Sequence, residues 1–254
     1  MIRASTFARL RGDTSGLALL EFALSMPIVL ALGLYGVEIS NLALTNLKLS
    51  QIALALADNA SRVGVANNLS QQDLREYDVN DVLQAAKLQG TDLKLTANGR
   101  ITLSSLEESN GVQRIHWQRC LGLKTGTGFD STYGRTTIKN NAPSTADDSA
   151  ASYDPTAGVN TASSGSPDNS ASHPGSVITG GMGDVGSKVS APTDSGVMFV
   201  EINYNYQPVT GTWLIGAKKL HSIATFIVRD KRNFTQVTNP APTAKRNTCD
   251  LYTA

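Results

Sequence analysis

Residues 16–38 read GLALLEFALSMPIVLALGLYGVE, and the fold turns on how this stretch is read. From Leu17 to Val37 it holds 21 residues with one charge among them, Glu21. At about 1.5 Å of rise per helical residue the run covers a hydrocarbon core of about 30 Å. Its leucines, valines, isoleucine and phenylalanine each favour insertion by about 0.3–0.6 kcal/mol, against roughly 3 kcal/mol for one central carboxylate, so a transmembrane helix at 17–37 wins. Arg3, Arg9 and Arg11 precede the run and Glu38 follows it. That asymmetry keeps the N-terminus on the cytoplasmic side and places residues 39–254 outside.

A cleaved secretory signal shares the basic start and the apolar core but fits less well. The run is longer than an ordinary h-region, Glu21 falls inside it, and no small-x-small site closes it promptly. An uncleaved signal anchor is the other alternative.

Gly16, Leu17, Glu21, Phe22 and Pro27, with Gly12-Asp13-Thr14-Ser15 ahead of them, resemble the processing region of type IV pilin-like precursors. Within that group the chain resembles the TadE/TadF-like minor pilins, or pseudopilins, of the tight adherence (Tad/Flp) pilus assembly system. The likeness is closest over residues 9–45. It returns at Val200-Glu201-Ile202-Asn203-Tyr204-Asn205-Tyr206-Gln207-Pro208 and Ile223 to Arg229, which look like the family's closing strands. The resemblance implies a cytoplasmic leader peptide at 1–16, removed between Gly16 and Leu17 by a prepilin peptidase, with Glu21 the fifth residue of the mature chain. It also implies a non-enzymatic subunit that helps to initiate or cap pilus assembly. The implied partners are other minor pilins, the major pilin, an inner-membrane assembly platform and the lipid bilayer. The implied location is the bacterial inner membrane, single-pass with a periplasmic head, and the extracellular pilus after assembly. The contrasting reading is a single-pass envelope protein, an adhesin or sensor module, in which Gly16 and Glu21 coincide by chance.

Cleavage would create an α-amino group on Leu17, and a carboxylate in low dielectric is strongly stabilised by a nearby cation. Glu21 would then pair with the amino terminus of a neighbouring subunit and set axial register. The plainer alternative has Glu21 reaching the headgroups and pairing with nothing.

Beyond the span, Ile39, Leu42, Asn46, Leu49, Ala53, Leu56, Ala60 and Val63 keep a three-four spacing, which extends the helix over 38–64 to about Arg62 with Gly64 as its stop. Pro27 is a candidate kink, tolerated within a bilayer. The seam either packs on the protein's own sheet or meets a partner's helix, with Asn46 setting register in the second case. The fold class expected is α+β: a long N-terminal helix packed on an antiparallel sheet, as in pilins.

A first part of the head spans 65–123. It opens on a second helix, capped by Asp78 or Asn80-Asp81 and ended by Gly90. A hairpin of 93–95 with 101–103 about Ala97-Asn98-Gly99 follows, with Gly99 in the left-handed position. Val112 to Cys120 is paired with Val197 to Tyr206, where the alternation of Met198, Val200, Ile202, Tyr204 and Tyr206 with Glu201, Asn203 and Asn205 predicts a sheet covered on one side. Residues 124–196, rich in Ser, Thr, Gly, Asn, Asp, Ala and Pro, read as a low-complexity flexible insertion. Residues 197–254 form the second part of the head.

The 254 residues carry a net charge of +1 and no basic run interleaved with aromatics, which gives no case for nucleic acid. Cys120 and Cys249 fall on the side that would be oxidising, where an even count is usually a disulfide; two unrelated free thiols are the alternative. Gly181-Met182-Gly183-Asp184-Val185-Gly186 matches a dinucleotide fingerprint, but Pro192 follows too soon for the helix such a site needs. His116, His173 and His221 are scattered, no Gly-x-Ser-x-Gly elbow occurs, and no acidic cluster has metal-ligand spacing. No catalytic residue, metal, cofactor or small-molecule substrate is therefore expected.

Overall fold

The computed structural model describes residues 16–66, 71–109, 111–134, 176–178, 180–234, 237–240, 242, 244–249 and 251–254. The leader arginines, Gly12 to Ser15, His173 and most of the expected insertion lie outside the described residues. The chain divides into two compact units. One comprises the described residues up to Leu44 together with Gln207–Ala217; the other comprises Thr45–Tyr206 and Lys218–Ala254.

Helix α1, Leu17–Arg62, is continuous for 46 residues, about 70 Å of helical rise. Pro27 sits inside it without ending it. Gly64, at φ +153°, breaks the path just beyond the helix. In the first unit α1 presents its apolar side chains outward. In the second, Leu49, Ile52, Ala53, Leu56, Ala57 and Ala60 are at most 2 % exposed. Of the expected seam, Leu49, Ala53, Leu56 and Ala60 are buried, joined by Ile52 and Ala57, whereas Ile39 and Asn46 are exposed and Leu42 and Val63 are half-buried. Burying leucine- or isoleucine-sized groups contributes about 1.5–3 kcal/mol each.

Two short strands, β1 (Val65–Ala66) and β2 (Gln72–Asp73), lead into α2, Glu76–Gln89. The cap is not the expected Asp78 or Asn80-Asp81. Arg75 occupies the N-cap, and Asp78 at N3 accepts from its backbone N–H at 3.0 Å and from its guanidinium at 2.8 Å. An acid at N3 satisfies the exposed end from inside the helix, so the boundary falls three residues earlier. Gly90 ends α2 as expected.

The expected hairpin about Ala97-Asn98-Gly99 does not form. Residues 95–98 close a helical turn, α3 (Leu95–Asn98), and Gly99 begins β3 (Gly99–Ser109) in extended conformation at φ −148°. A Cβ on Gly99 would lie 2.6 Å from the carbonyl oxygen of Asn203, so glycine is required there by close approach and not by a turn. The tight hairpin joins β3 to β4 (Val112–Leu121), with Ser109 opposite Val112 and Gly111 at φ +76°.

The sheet order is β5-β4-β3-β6-β7, with β5 Ser176–Val177, β6 Gly196–Asn205 and β7 Lys219–Ile227; every pairing is antiparallel. The expected partners β4 and β6 share the sheet but are separated by β3, which pairs with both. One face carries Ile101, Leu103, Trp117, Met198, Val200 and Ile202, by the alternation along the paired strands. The helix seam lies on this side: the Ser222 hydroxyl of β7 donates to Ser50 of α1 at 3.3 Å, and Arg232 donates to the carbonyls of Ala60 and Val63.

The sheet is covered on both sides, not one. Nine of the ten β6 residues are buried, Glu201 and Asn203 among them. On the second face Leu106, Ile115, Val197 and Phe199 form a cluster with Met182 and Ala191, and Tyr133, Ile178 and Val189 pack against it. Residues 129–134 and 180–191, expected to be part of a flexible insertion, therefore form the cover of this face. Polar contacts join the few apolar residues in holding this cover. Thr132 donates to Glu201 from its backbone and hydroxyl, each at 3.3 Å, and Gln113 exchanges two hydrogen bonds with the backbone of Ala191.

Candidate functional site

The candidate site of the first unit begins at Gly16. Its carbonyl accepts from the Leu20 N–H at 3.1 Å, the first hydrogen bond of α1, and the glycine itself is exposed. Every residue from Gly16 to Val37 is exposed, including Leu19 at 75 % and Phe22 at 61 %. Such a length of bare apolar helix is long and apolar enough to cross a membrane. Glu21 follows the first turn and stands about one and a half turns from Gly16. Leu17, Glu21 and Phe22 thus lie together at the start of the helix, open to any partner, and Pro27 lies inside the span. The hydroxyls of Ser25 and Ser40 return to the helix, donating to the carbonyls of Phe22 and Gly36. Glu21 is the one charged residue between Leu17 and Val37.

At the other end of the span stands Glu38, fully buried. Its Oε2 accepts from the backbone N–H of Thr210 at 2.8 Å and from the Thr210 hydroxyl at 2.7 Å. Thr210 belongs to the connection between β6 and β7, which carries the short helix α4, Thr212–Ile215. The Trp213 indole donates to the Thr210 carbonyl at 2.5 Å, while the residue is 71 % exposed; Val209 is 69 % exposed. In the sequence Glu38 is the first charge after the span and carries no further signal of its own. The signal for more was the uncharged segment 207–217, with Gly211 and Gly216 inside it, which interrupts the polar-apolar alternation of the closing strands.

Cys120 and Cys249 are joined in a disulfide across 129 residues of sequence. The bridge holds the C-terminal tail to the end of β4, and the backbone extends the attachment: Cys120 N–H donates to Asn247 O, and Gly122 N–H to Thr253 O. Buried guanidiniums complete the clamp. Arg100 donates to the carbonyls of Gly122, Cys249 and Leu251 and lies 4.2 Å from the Tyr252 ring centroid. Arg119 of β4 meets Glu76 of α2 through two donors, with Arg246 of the tail at 3.8 Å from the same carboxylate.

Two polar clusters in the second unit contain histidines. His116 sits at the β3–β4 register shift, 1 % exposed, with Nδ1 2.9 Å from Glu107 Oε2; Ser105 donates to the other oxygen at 2.6 Å. Serine, glutamate and histidine are the residue types of a hydrolase triad, but here serine and histidine bind opposite oxygens of the acid, and the group is closed to solvent. It sits at the bulge with all three residues buried, away from solvent. The second cluster lies under the loop that covers β6. The Tyr133 hydroxyl donates to Asp184 at 2.6 Å and is 2.8 Å from His221 Nε2, whose Nδ1 lies 2.8 Å from Asn203 Oδ1. Burial first, and Asp184 second, push the Tyr133 phenol well above its ordinary pKa. The glycine-rich 181–186 segment is a turn closed by the Met182–Val189 bridge, with no helix following it to hold a phosphate. Among the described residues, no three His, Cys, Asp or Glu side chains converge as metal ligands.

Comparisons with family profiles, with curated proteins and with solved structures find no match to the chain.

Proposed function

We propose that the chain is a membrane-held minor pilin, or pseudopilin, of a Tad-type pilus machine, processed after Gly16 and acting as a structural subunit. The carrying observation is the start of α1. An exposed glycine directly precedes a helix of bare apolar residues, and a lone carboxylate follows within one and a half turns. A prepilin peptidase needs an accessible bond at the membrane boundary, which Gly16–Leu17 offers. A subunit that assembles laterally in a bilayer gains register from one charged group matched to the new amino terminus, and Glu21 suits that role. The helix seam and the sheet it covers support a pilin-like body, and the outward span supports contact with other minor pilins, the major pilin and an inner-membrane platform. A periplasmic head fits the Cys120–Cys249 bridge, which an oxidising compartment would maintain.

The test is the intact mass of the membrane-extracted protein from cells with and without the host's prepilin peptidase. A peptidase-dependent species beginning at Leu17 is the expected result. A species that keeps residues 1–16 in both strains refutes the pilin reading and leaves a signal-anchored envelope protein. A species cut beyond Val37 refutes the anchor as well.

A further inference from the structure

We propose that the segment Gln207–Ala217 is a membrane-surface wedge, with the side chains of Trp213 and Val209 seated among the headgroups and upper acyl chains of the bilayer. The proposal rests on residues 17–37 crossing a membrane and takes nothing from the pilus reading.

Three observations place the segment at that depth. Glu38 is the residue immediately after the span, so it marks the height at which the helix leaves the hydrocarbon. Thr210 is fixed to that residue by two hydrogen bonds, at 2.8 and 2.7 Å, and Trp213 is fixed in turn to Thr210 by its indole N–H. The loop is therefore tied to one level of the helix. The second observation is chemical. From Gln207 to Ala217 there is no charged residue, yet two large apolar side chains of the segment, Trp213 and Val209, are 71 % and 69 % exposed. Tryptophan, with an apolar body and a polar tip, is the residue best suited to the membrane–water boundary. Here the tip is already satisfied by Thr210, which leaves the ring to lipid. The third is continuity: the apolar surface of the loop belongs to the same compact unit as the bare surface of the span. A bilayer covering Leu34 and Val37 would meet the loop without a second, unrelated interface. In sequence the loop ends at Lys218-Lys219, a basic pair of the kind that anionic headgroups attract. The lipid surface is thus the occupant whose chemistry and position agree.

The experiment places the full chain in vesicles of phosphatidylcholine and phosphatidylglycerol brominated either near the headgroup or near the chain ends, and compares tryptophan emission of the unaltered protein with that of Trp213→Phe. Trp117, 3 % exposed, supplies a background common to both. Headgroup-proximal bromine should remove most of the emission that Trp213→Phe abolishes, and bromine near the chain ends should remove little of it. Substituting Thr210→Val and Glu38→Gln together, which weakens the tether, should reduce the shallow quenching. If Trp213 is quenched by aqueous iodide and not by brominated lipid, in protein that still floats with the vesicles and resists alkaline extraction, the wedge is overturned and the span stands. Shielding of Trp213 from both quenchers indicates cover by a second copy and also overturns it. A chain that fails to float overturns the wedge and the span together.

Discussion

Glu76 of α2 and Arg119 of β4 form an ion pair with neither residue more than 1 % exposed, and Arg246 of the C-terminal tail approaches the same carboxylate. A single acid therefore neutralises cations from two parts of the chain. Glu76→Gln removes the carboxylate charge from a buried ion pair and should lower unfolding stability by about 3–5 kcal/mol. Arg119→Met leaves the carboxylate with Arg246 and should cost less. Denaturant unfolding of the full chain in detergent, followed by circular dichroism, gives the order; equal losses would show that Arg246 does not share the charge.

The disulfide acts on the same tail. For a separation of 129 residues, loop-closure entropy gives about 5 kcal/mol of stabilisation by restricting the unfolded chain. Cys120→Ser with Cys249→Ser should remove a large part of it. The carbonyls of Cys249 and Leu251 would still face Arg100, so the tail should stay docked at ordinary temperature and release on mild heating. Carboxypeptidase digestion as a function of temperature reads the release. Digestion of the double variant at the same temperature as the unaltered protein would show that the buried arginines hold the tail unaided.

Tyr133 makes stability depend on alkaline pH. Its pKa in the folded protein lies above the value of about 10 expected in the unfolded chain. The native state then retains a proton that the unfolded state gives up. The contribution is fully present below about pH 10 and is lost as pH rises from there toward the folded value. Tyr204, also raised by burial, acts in the same direction. Tyr133→Phe forfeits the contacts to Asp184 and His221, a cost of about 1 kcal/mol at neutral pH, and should flatten the alkaline decline. An unchanged decline in both Tyr133→Phe and Tyr204→Phe would exclude the two phenols as its source.

The long helix was legible because its signals do not depend on partners. A 21-residue apolar run and a seam from Leu49 to Ala60 each carry their own period. The strands were legible too, but their neighbours were not. Two Asn-Gly dipeptides compete for the hairpin, Asn98-Gly99 and Asn110-Gly111, and local alternation cannot rank them. Long-range pairing ranks them, since Gly99 is needed where β3 passes the Asn203 carbonyl and Gly111 where φ is +76°. The covered second face was hidden for a related reason. Glu201 and Asn203 read as solvent positions, and only Val197 and Phe199 in the same phase hinted otherwise. Their polar partners, Thr132 and His221, are distant in sequence and carry no pattern. The Glu38–Thr210 contact spans 172 residues and is likewise invisible to any periodicity.

The two glycines separate experimentally. Gly111→Ala meets nothing within 4 Å, so its cost is conformational alone, roughly 1–2 kcal/mol for a left-handed residue. Gly99→Ala is conformationally free at φ −148° but sets a methyl group 2.6 Å from a backbone oxygen. One of the two central strands must move, and the loss should exceed that of Gly111→Ala. Thermal unfolding of the two variants gives the comparison, and a Gly99→Ala protein as stable as the original would contradict the packing of β3 against β6.

Glu21 provides the sharpest separation of assembly from anchoring. An acid within the apolar run opposes insertion by up to roughly 3 kcal/mol, so Glu21→Ala should insert at least as well as the original chain. Any loss of function in that variant cannot then be assigned to a failure to reach the membrane. If Glu21 pairs with the amino terminus of a neighbour, Glu21→Ala and Glu21→Gln should both abolish piliation while cleavage after Gly16 and membrane retention persist. Glu21→Asp, shorter by one methylene but still charged, should restore part of it. Full piliation by the alanine variant, in a host lacking the native copy, would remove the carboxylate from assembly and leave it as a group that reaches the headgroups. The readouts are cell-surface pilus counts, intact mass for the cleavage, and alkaline extraction for retention. A carboxylate that only reaches the headgroups would leave all three readouts unchanged.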